Sequence, residues 1–160
     1  MEKIKWLKWM SLTSIIACIW IIGAGCGKKD MSPRDINPEV DTCIVCNMSI
    51  VHEDYAAQAV LANGDKLIFD DIGCLVQYAI EQQEDAVGAS YVKEYETDKW
   101  IDSNTAYFVY DQEFWTPMSY GVLAFSTKNG AEAFMKEEGK GKLMTPEDLS
   151  EHEWGVHAHE

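Results

Sequence analysis

Ala56-Ala57-Gln58-Ala59-Val60-Leu61-Ala62, then Asn63-Gly64, then Lys66-Leu67-Ile68-Phe69-Asp70-Asp71: this stretch decides the fold. An Asn-Gly pair between two apolar runs is the strongest short-range hairpin signal, because both residues accept the positive φ that a tight hairpin turn requires. Asp71 then offers a side chain to the free N–H groups of a helix start. Leu75, Tyr78 and Ala79, with Val76 and Ile80 beside them, give that helix an apolar face to about Gln83. The unit is β-β-α.

Working outward, the second half repeats the first. Ala106 to Tyr110 and Val122 to Ser126 are aromatic and β-branched and predict two strands. Ser126 or Thr127 can cap a helix that runs through Ala131, Phe134 and Met135 and ends at Gly139 and Gly141. Between the halves, Ser90 to Thr97 alternates weakly, as a strand or a loop edge does. Leu143-Met144 fits a short last strand, and Thr145-Pro146-Glu147 opens a final helical turn. Phe69-Asp70-Asp71-Ile72-Gly73 answers Phe125-Ser126-Thr127-Lys128-Asn129-Gly130 with one residue more, which reads as an internal duplication. The expected fold class is α+β: two repeated β-β-α(β) units packed as one compact domain.

The chain starts with a basic stretch (Lys3, Lys5, Lys8), an apolar run from Met10 to Ile22, and the small residues Gly23-Ala24-Gly25 before Cys26. The three parts stand in the order of a secretory signal, and the run is short of the roughly 20 apolar residues of a permanent span. Gly23-Ala24-Gly25-Cys26 resembles the bacterial lipobox, with Gly23 where Leu is usual. It implies cleavage before Cys26, lipidation of that residue, and an extracytoplasmic protein held on a bacterial membrane. The expected organisation is a lipoprotein signal peptide over 1–25, a lipidated flexible tether over 26–40 with Pro33 and Pro38, a domain over 41–151, and a His-rich tail over 152–160.

Losing residues 1–25 removes Glu2 and three lysines, so the formal charge moves from −14 to −16. Such a surface argues against nucleic acid as a partner.

Of five cysteines, Cys18 leaves with the signal and Cys26 goes to lipid, leaving Cys43, Cys46 and Cys74. An odd count outside the cytoplasm means a free thiol or a metal. Cys43-x-x-Cys46 alone fits half a zinc site, a redox dithiol, a structural disulfide or a soft-metal site. Met48 favours the last, since a thioether suits Cu(I) and is rare on zinc. On an extended segment Cys46 and Met48 point the same way and face one ion together. His52, four residues on, is a candidate nitrogen ligand. His152, His157 and His159 in the tail either gather Cu(II) or Zn(II) weakly or are merely solvated. The helix cap explains Asp71 without acid–base chemistry. Trp100, Tyr107, Phe108, Phe114 and Trp115 read as core and strand packing, or, where exposed near Met118, as a docking rim.

Cys43-Ile44-Val45-Cys46-Asn47-Met48, then Ala56-Ala57-Gln58, then Phe69-Asp70-Asp71-Ile72-Gly73-Cys74, together resemble NosL, the family of copper-binding accessory lipoproteins of nitrous-oxide reductase. Thr116-Pro117-Met118, Gly121 and Ala124-Phe125 extend the resemblance over nearly the whole mature chain. The family usually has Gly at the place of Asn47. A wider likeness is to TRASH and YHS motifs, in which a cysteine stands where this chain has Asp70 while Cys74 is kept; the full zinc set is thus broken.

What the resemblance implies is a Cu(I) carrier, not an enzyme. Its ligands would be Cys46 and Met48, helped by Cys43 and by Met118 as distal thioether, and its partner an extracytoplasmic copper enzyme or copper transporter. Two or three protein ligands would leave one side of the ion open to that partner. A cell-envelope thiol-disulfide protein and a structural zinc or disulfide module are the alternatives.

Overall fold

The computed structural model describes residues 29–81 and 87–154. Strands β1 (Ala57–Leu61) and β2 (Lys66–Phe69) pair antiparallel, with Ala57 opposite Phe69 and Val60 opposite Lys66. Their turn lies at the Asn-Gly pair. Gly64 N–H donates to the Leu61 carbonyl at 2.8 Å, with φ at +94°. A left-handed glycine closing a short loop is one of the common hairpin solutions.

Helix α1 (Ile72–Glu81) follows, and β3 (Val87–Lys93) returns antiparallel to the free edge of β1. β4 (Trp100–Asp102) then adds outside β3, giving a sheet of order β2-β1-β3-β4. Three residues are too few for alternation to be read, so β4 has no sequence signal. The second half comprises β5 (Tyr107–Tyr110), β6 (Val122–Phe125), α2 (Lys128–Glu138) and β7 (Lys142–Met144), with sheet order β6-β5-β7. α3 (Pro146–Glu151) comes last, opened by a capping box between Thr145 and Asp148.

The halves are thus one β-β-α-β unit used twice, since in each the third strand lies on the free edge of the first. The register agrees as well. Phe69 faces the first residue of β1, and Phe125 faces Tyr107, the first residue of β5. Both helices begin three residues after the Phe. Asp71 Oδ1 accepts from Gly73 N–H at 3.0 Å, and Thr127 Oγ1 accepts from Gly130 N–H at 3.1 Å. The extra residue before Gly130 leaves the helix start unmoved and puts that glycine one position deeper.

The α+β class is as expected, and one core serves both units: Phe69 and Val92 cluster with Phe108, Val122, Met144 and Leu149. A smaller cluster of Val109, Phe114, Leu123, Phe125 and Ala131 lies around α2. Glu94 ties the sheets together. Its Oε1 accepts from Ser126 N–H (3.2 Å) and Ser126 Oγ (2.7 Å), its Oε2 accepts from the Thr97 hydroxyl, and Tyr95 N–H donates to the Ala124 carbonyl at 2.9 Å. The Thr97 bond first, then those from Ser126, hold the Glu94 carboxyl below the usual glutamate range.

Residues 31–160 form one compact unit. Part of the stretch expected to be tether belongs to it, because Gln58 is fully buried in β1 and its amide needs partners. It finds them on Arg34, whose N–H donates to Gln58 Oε1 (3.0 Å) and whose carbonyl accepts from Gln58 Nε2 (2.6 Å). The Arg34 guanidinium forks onto Asp41, and the Tyr91 hydroxyl donates to the Met31 carbonyl. Packing among the described residues therefore already includes Met31 and Arg34. Residues 1–25, Cys26 with its expected lipid, and His157 and His159 lie outside the described residues. Among the described residues no helix is long and apolar enough to cross a membrane.

Candidate metal centre

The segment before β1 folds into a knuckle. Thr42 and Ser49 form a bridge, Cys43 N–H donates to the Met48 carbonyl (2.8 Å), and Asn47 N–H donates to the Cys43 carbonyl (2.9 Å). Asn47 has φ of +61°, the left-handed conformation that glycine and asparagine adopt at least cost. Ile44 N–H donates to the Ile68 carbonyl at 3.1 Å and docks the knuckle onto β2.

Asp70 follows directly on β2 and the first turn of α1 delivers Cys74, and the bend at Asp70-Asp71 brings the two together. Cys43, Cys46, Asp70 and Cys74 each present a ligand atom, all within 4.8 Å of one another. Cys43, Asp70 and Cys74 are buried, Cys46 is half-buried, and the three thiols are free. Cys46 Sγ donates to Asp70 Oδ1 at 3.3 Å and Oδ2 at 3.4 Å.

The thiols differ in their hold on a proton. Cys43 receives a hydrogen bond from Cys74 and the backbone N–H groups of Cys46 and Asp70, which bring it down to about 7 against the cost of burial. Cys46 is pushed up to about 12, mainly by burial. Cys74 is raised too, because its proton is shared with Cys43 and because it is buried. The cluster thus concentrates thiolate character on Cys43, into which Cys74 donates, while Cys46 donates to Asp70.

A second connection reaches this centre from the other unit. The β5–β6 loop is closed by Asp111 N–H donating to the Gly121 carbonyl, and it lies over the start of α1. Asp71 Oδ2 accepts from the Thr116 hydroxyl at 2.6 Å and from Met118 N–H at 3.0 Å. Burial raises the Asp71 carboxyl, while its three hydrogen bonds pull the other way. Tyr120 lies against Gly73 so closely that a methyl there would overlap the ring.

The family model for NosL matches residues 33–154. The chain belongs to the NosL family. A search among curated proteins found no match. Among solved structures, the crystal structure of the copper chaperone NosL from Shewanella denitrificans is similar in fold, with a TM-score of 0.64 and 21% identity over 72% of this chain and 92% of that one.

Within this NosL-type framework the expected site residues do not all share one space. Cys46, Cys74 and Met118 line an open cavity of about 500 Å³. Met48 and His52 line a different cleft of about 350 Å³, with Asp70, Trp115 and Pro117. The alternation argument for Cys46 and Met48 fails at Asn47, whose left-handed backbone breaks the period of two. Met48 is 44% exposed and shares its cleft with Asp70. His52 is exposed, with its ring 4.8 Å from Trp115.

Asp70 and Cys74 were absent from the expected ligand set. Asp70 occupies the corner that its replacement of a cysteine was read as leaving open. Both stand in the Phe69-Asp70-Asp71-Ile72-Gly73-Cys74 run, where β2 turns into α1. Of the aromatics read as core or, where exposed near Met118, as a docking rim, Trp115 is 58% exposed and lines the cleft beside Pro117.

Proposed function

We propose that this NosL-family protein is a Cu(I) carrier. It would be anchored through lipidated Cys26 outside the cytoplasm and deliver copper to a copper enzyme such as nitrous-oxide reductase, or to a copper transporter. The observation that carries the reading is the gathering of three thiols within 4.8 Å, with one thioether in the cleft on each side, Met118 and Met48. Thiolate and thioether sulfur favour Cu(I). Cys43, Cys46 and Cys74 would supply most of the affinity; Met118 and Met48 would add a smaller share as neutral sulfurs met on the way in or out. A partner thiol or imidazole can approach through either opening and share the ion before taking it, which makes the act a transfer rather than a catalysed reaction.

Zinc is the competing cargo, because three thiols and the Asp70 carboxylate complete a four-donor set that zinc accepts. The test is anaerobic titration of residues 27–160 against a chromophoric Cu(I) chelator, repeated with Zn(II) present. Cys46→Ser is expected to weaken Cu(I) by at least about a hundredfold, and Met118→Leu or Met48→Leu by roughly tenfold each, ~1.4 kcal/mol. Unchanged affinity in all three variants, or displacement of Cu(I) by equimolar Zn(II), defeats the carrier reading.

A further inference from the structure

The segment after α3 is not a free end as far as Trp154. His152 N–H donates to the Leu149 carbonyl, Trp154 N–H to the His152 carbonyl at 3.0 Å, and the Trp154 indole N–H to the Leu149 carbonyl at 3.0 Å. These bonds fold the segment back. The His152 ring is held edge-on between Tyr110, 4.5 Å away, and Trp154, 4.9 Å away, and Trp154 in turn packs 5.4 Å from Tyr120. Because Tyr120 rests on Gly73 in the first turn of α1, the imidazole is fixed to the same structure that positions Cys74.

Its place in the cavity gives this a chemical meaning. His152 lines the opening of about 500 Å³ onto which Cys46, Cys74 and Met118 also face. Among the described residues no hydrogen bond engages its ring nitrogens, and burial lowers its pKa, so the neutral donor form prevails at neutral pH. The rings on its two sides set its orientation without using either nitrogen.

We infer that His152 and Met118 form a second, weaker position for a soft monovalent d10 cation, through which the ion passes between solvent and the thiols. The inference rests on the carrier reading. An imidazole and a thioether are both neutral, so they hold Cu(I) less tightly than thiolate does and release it inward. His152 thereby joins the transfer machinery, and the tail begins as a structural part of the site.

The test titrates residues 27–160 with Ag(I), a d10 monovalent ion that stays in one oxidation state, while following the side-chain nitrogen resonances of the histidines by NMR. The expected result is a first, tight equivalent that leaves His152 still and a second, weaker one that moves its resonances. His152→Phe, which keeps the ring stack and removes the nitrogens, should abolish the second equivalent and slow Cu(I) uptake from a chelator about tenfold at unchanged tight affinity. The double variant His157→Phe, His159→Phe should keep both equivalents. A tight first equivalent followed by no movement of the His152 resonances at any further Ag(I) addition, or a second equivalent lost only in the tail double variant, overturns the inference and leaves the carrier reading standing. Absence of any tight equivalent overturns both.

Discussion

The two β-β-α-β units share topology and register but start their helices differently. At the head of α1, Ile72, Gly73, Cys74 and Leu75 are all buried, and the capping residue is a carboxylate turned toward the other unit. At the head of α2 the cap is the exposed Thr127, and the helix buries only Ala131. The connections differ in the same sense. β1 and β2 are joined by a tight turn, whereas β5 and β6 are joined by a longer loop that crosses to the head of α1. A duplicated scaffold thus acquired one specialised end, where knuckle, helix start and foreign loop meet.

Exchanging the caps should give the largest effect. Asp71→Ala removes a buried carboxylate that satisfies the Thr116 hydroxyl and two backbone N–H groups, and is expected to cost about 3 kcal/mol in urea unfolding of residues 27–160. Thr127→Ala at the matching position should cost about 1 kcal/mol. Equal losses would mean that the two helix starts are equivalent after all.

The glycines sharpen the contrast. Gly73→Ala forces a methyl against the Tyr120 ring and should cost about 2 kcal/mol. At Gly130 the added carbon meets Thr127 Oγ1 at 3.2 Å and Phe125 Cδ1 at an ordinary 3.9 Å. There the gain in helix propensity, up to about 1 kcal/mol, makes Gly130→Ala neutral or stabilising by the same assay.

The smallest effect concerns the link between the units. The folded-state pKa of Glu94 is depressed, so its contribution is complete above the unfolded value of about 4.3 and is lost as pH falls through the folded value. Wild type should exceed Glu94→Gln by ~1 kcal/mol at pH 7. The difference should shrink toward zero as the pH falls below that of the folded carboxyl. A difference that persists in strong acid would show that the charge is irrelevant to the junction.

Local signals carried most of the fold. Asn63-Gly64 sets the hairpin, Thr127 and Gly139 bound α2, and the matching Phe69 and Phe125 reveal the duplication because each ends a strand facing the start of its partner. The centre was legible only in part. Cys43 and Cys46 declare themselves by spacing, but Asp70 stands where related motifs have a cysteine and so reads as a ligand lost, and its place in the centre depends on the knuckle docking through Ile44 and Ile68. The pairing of Cys46 with Met48 assumed an extended backbone that one positive φ removes. Arg34 was read as part of a loose segment because its partner, Gln58, is remote in sequence and polar, and nothing local marks a glutamine as buried.

That last contact shortens the leash. With Cys26 lipidated as proposed, only the links from Cys26 to Met31 separate the lipid from packed chain. Fully extended they span about 17 Å. The carrier would therefore work close against the bilayer rather than sweep the space above it, and a recipient would have to bring its own copper site down to the membrane surface.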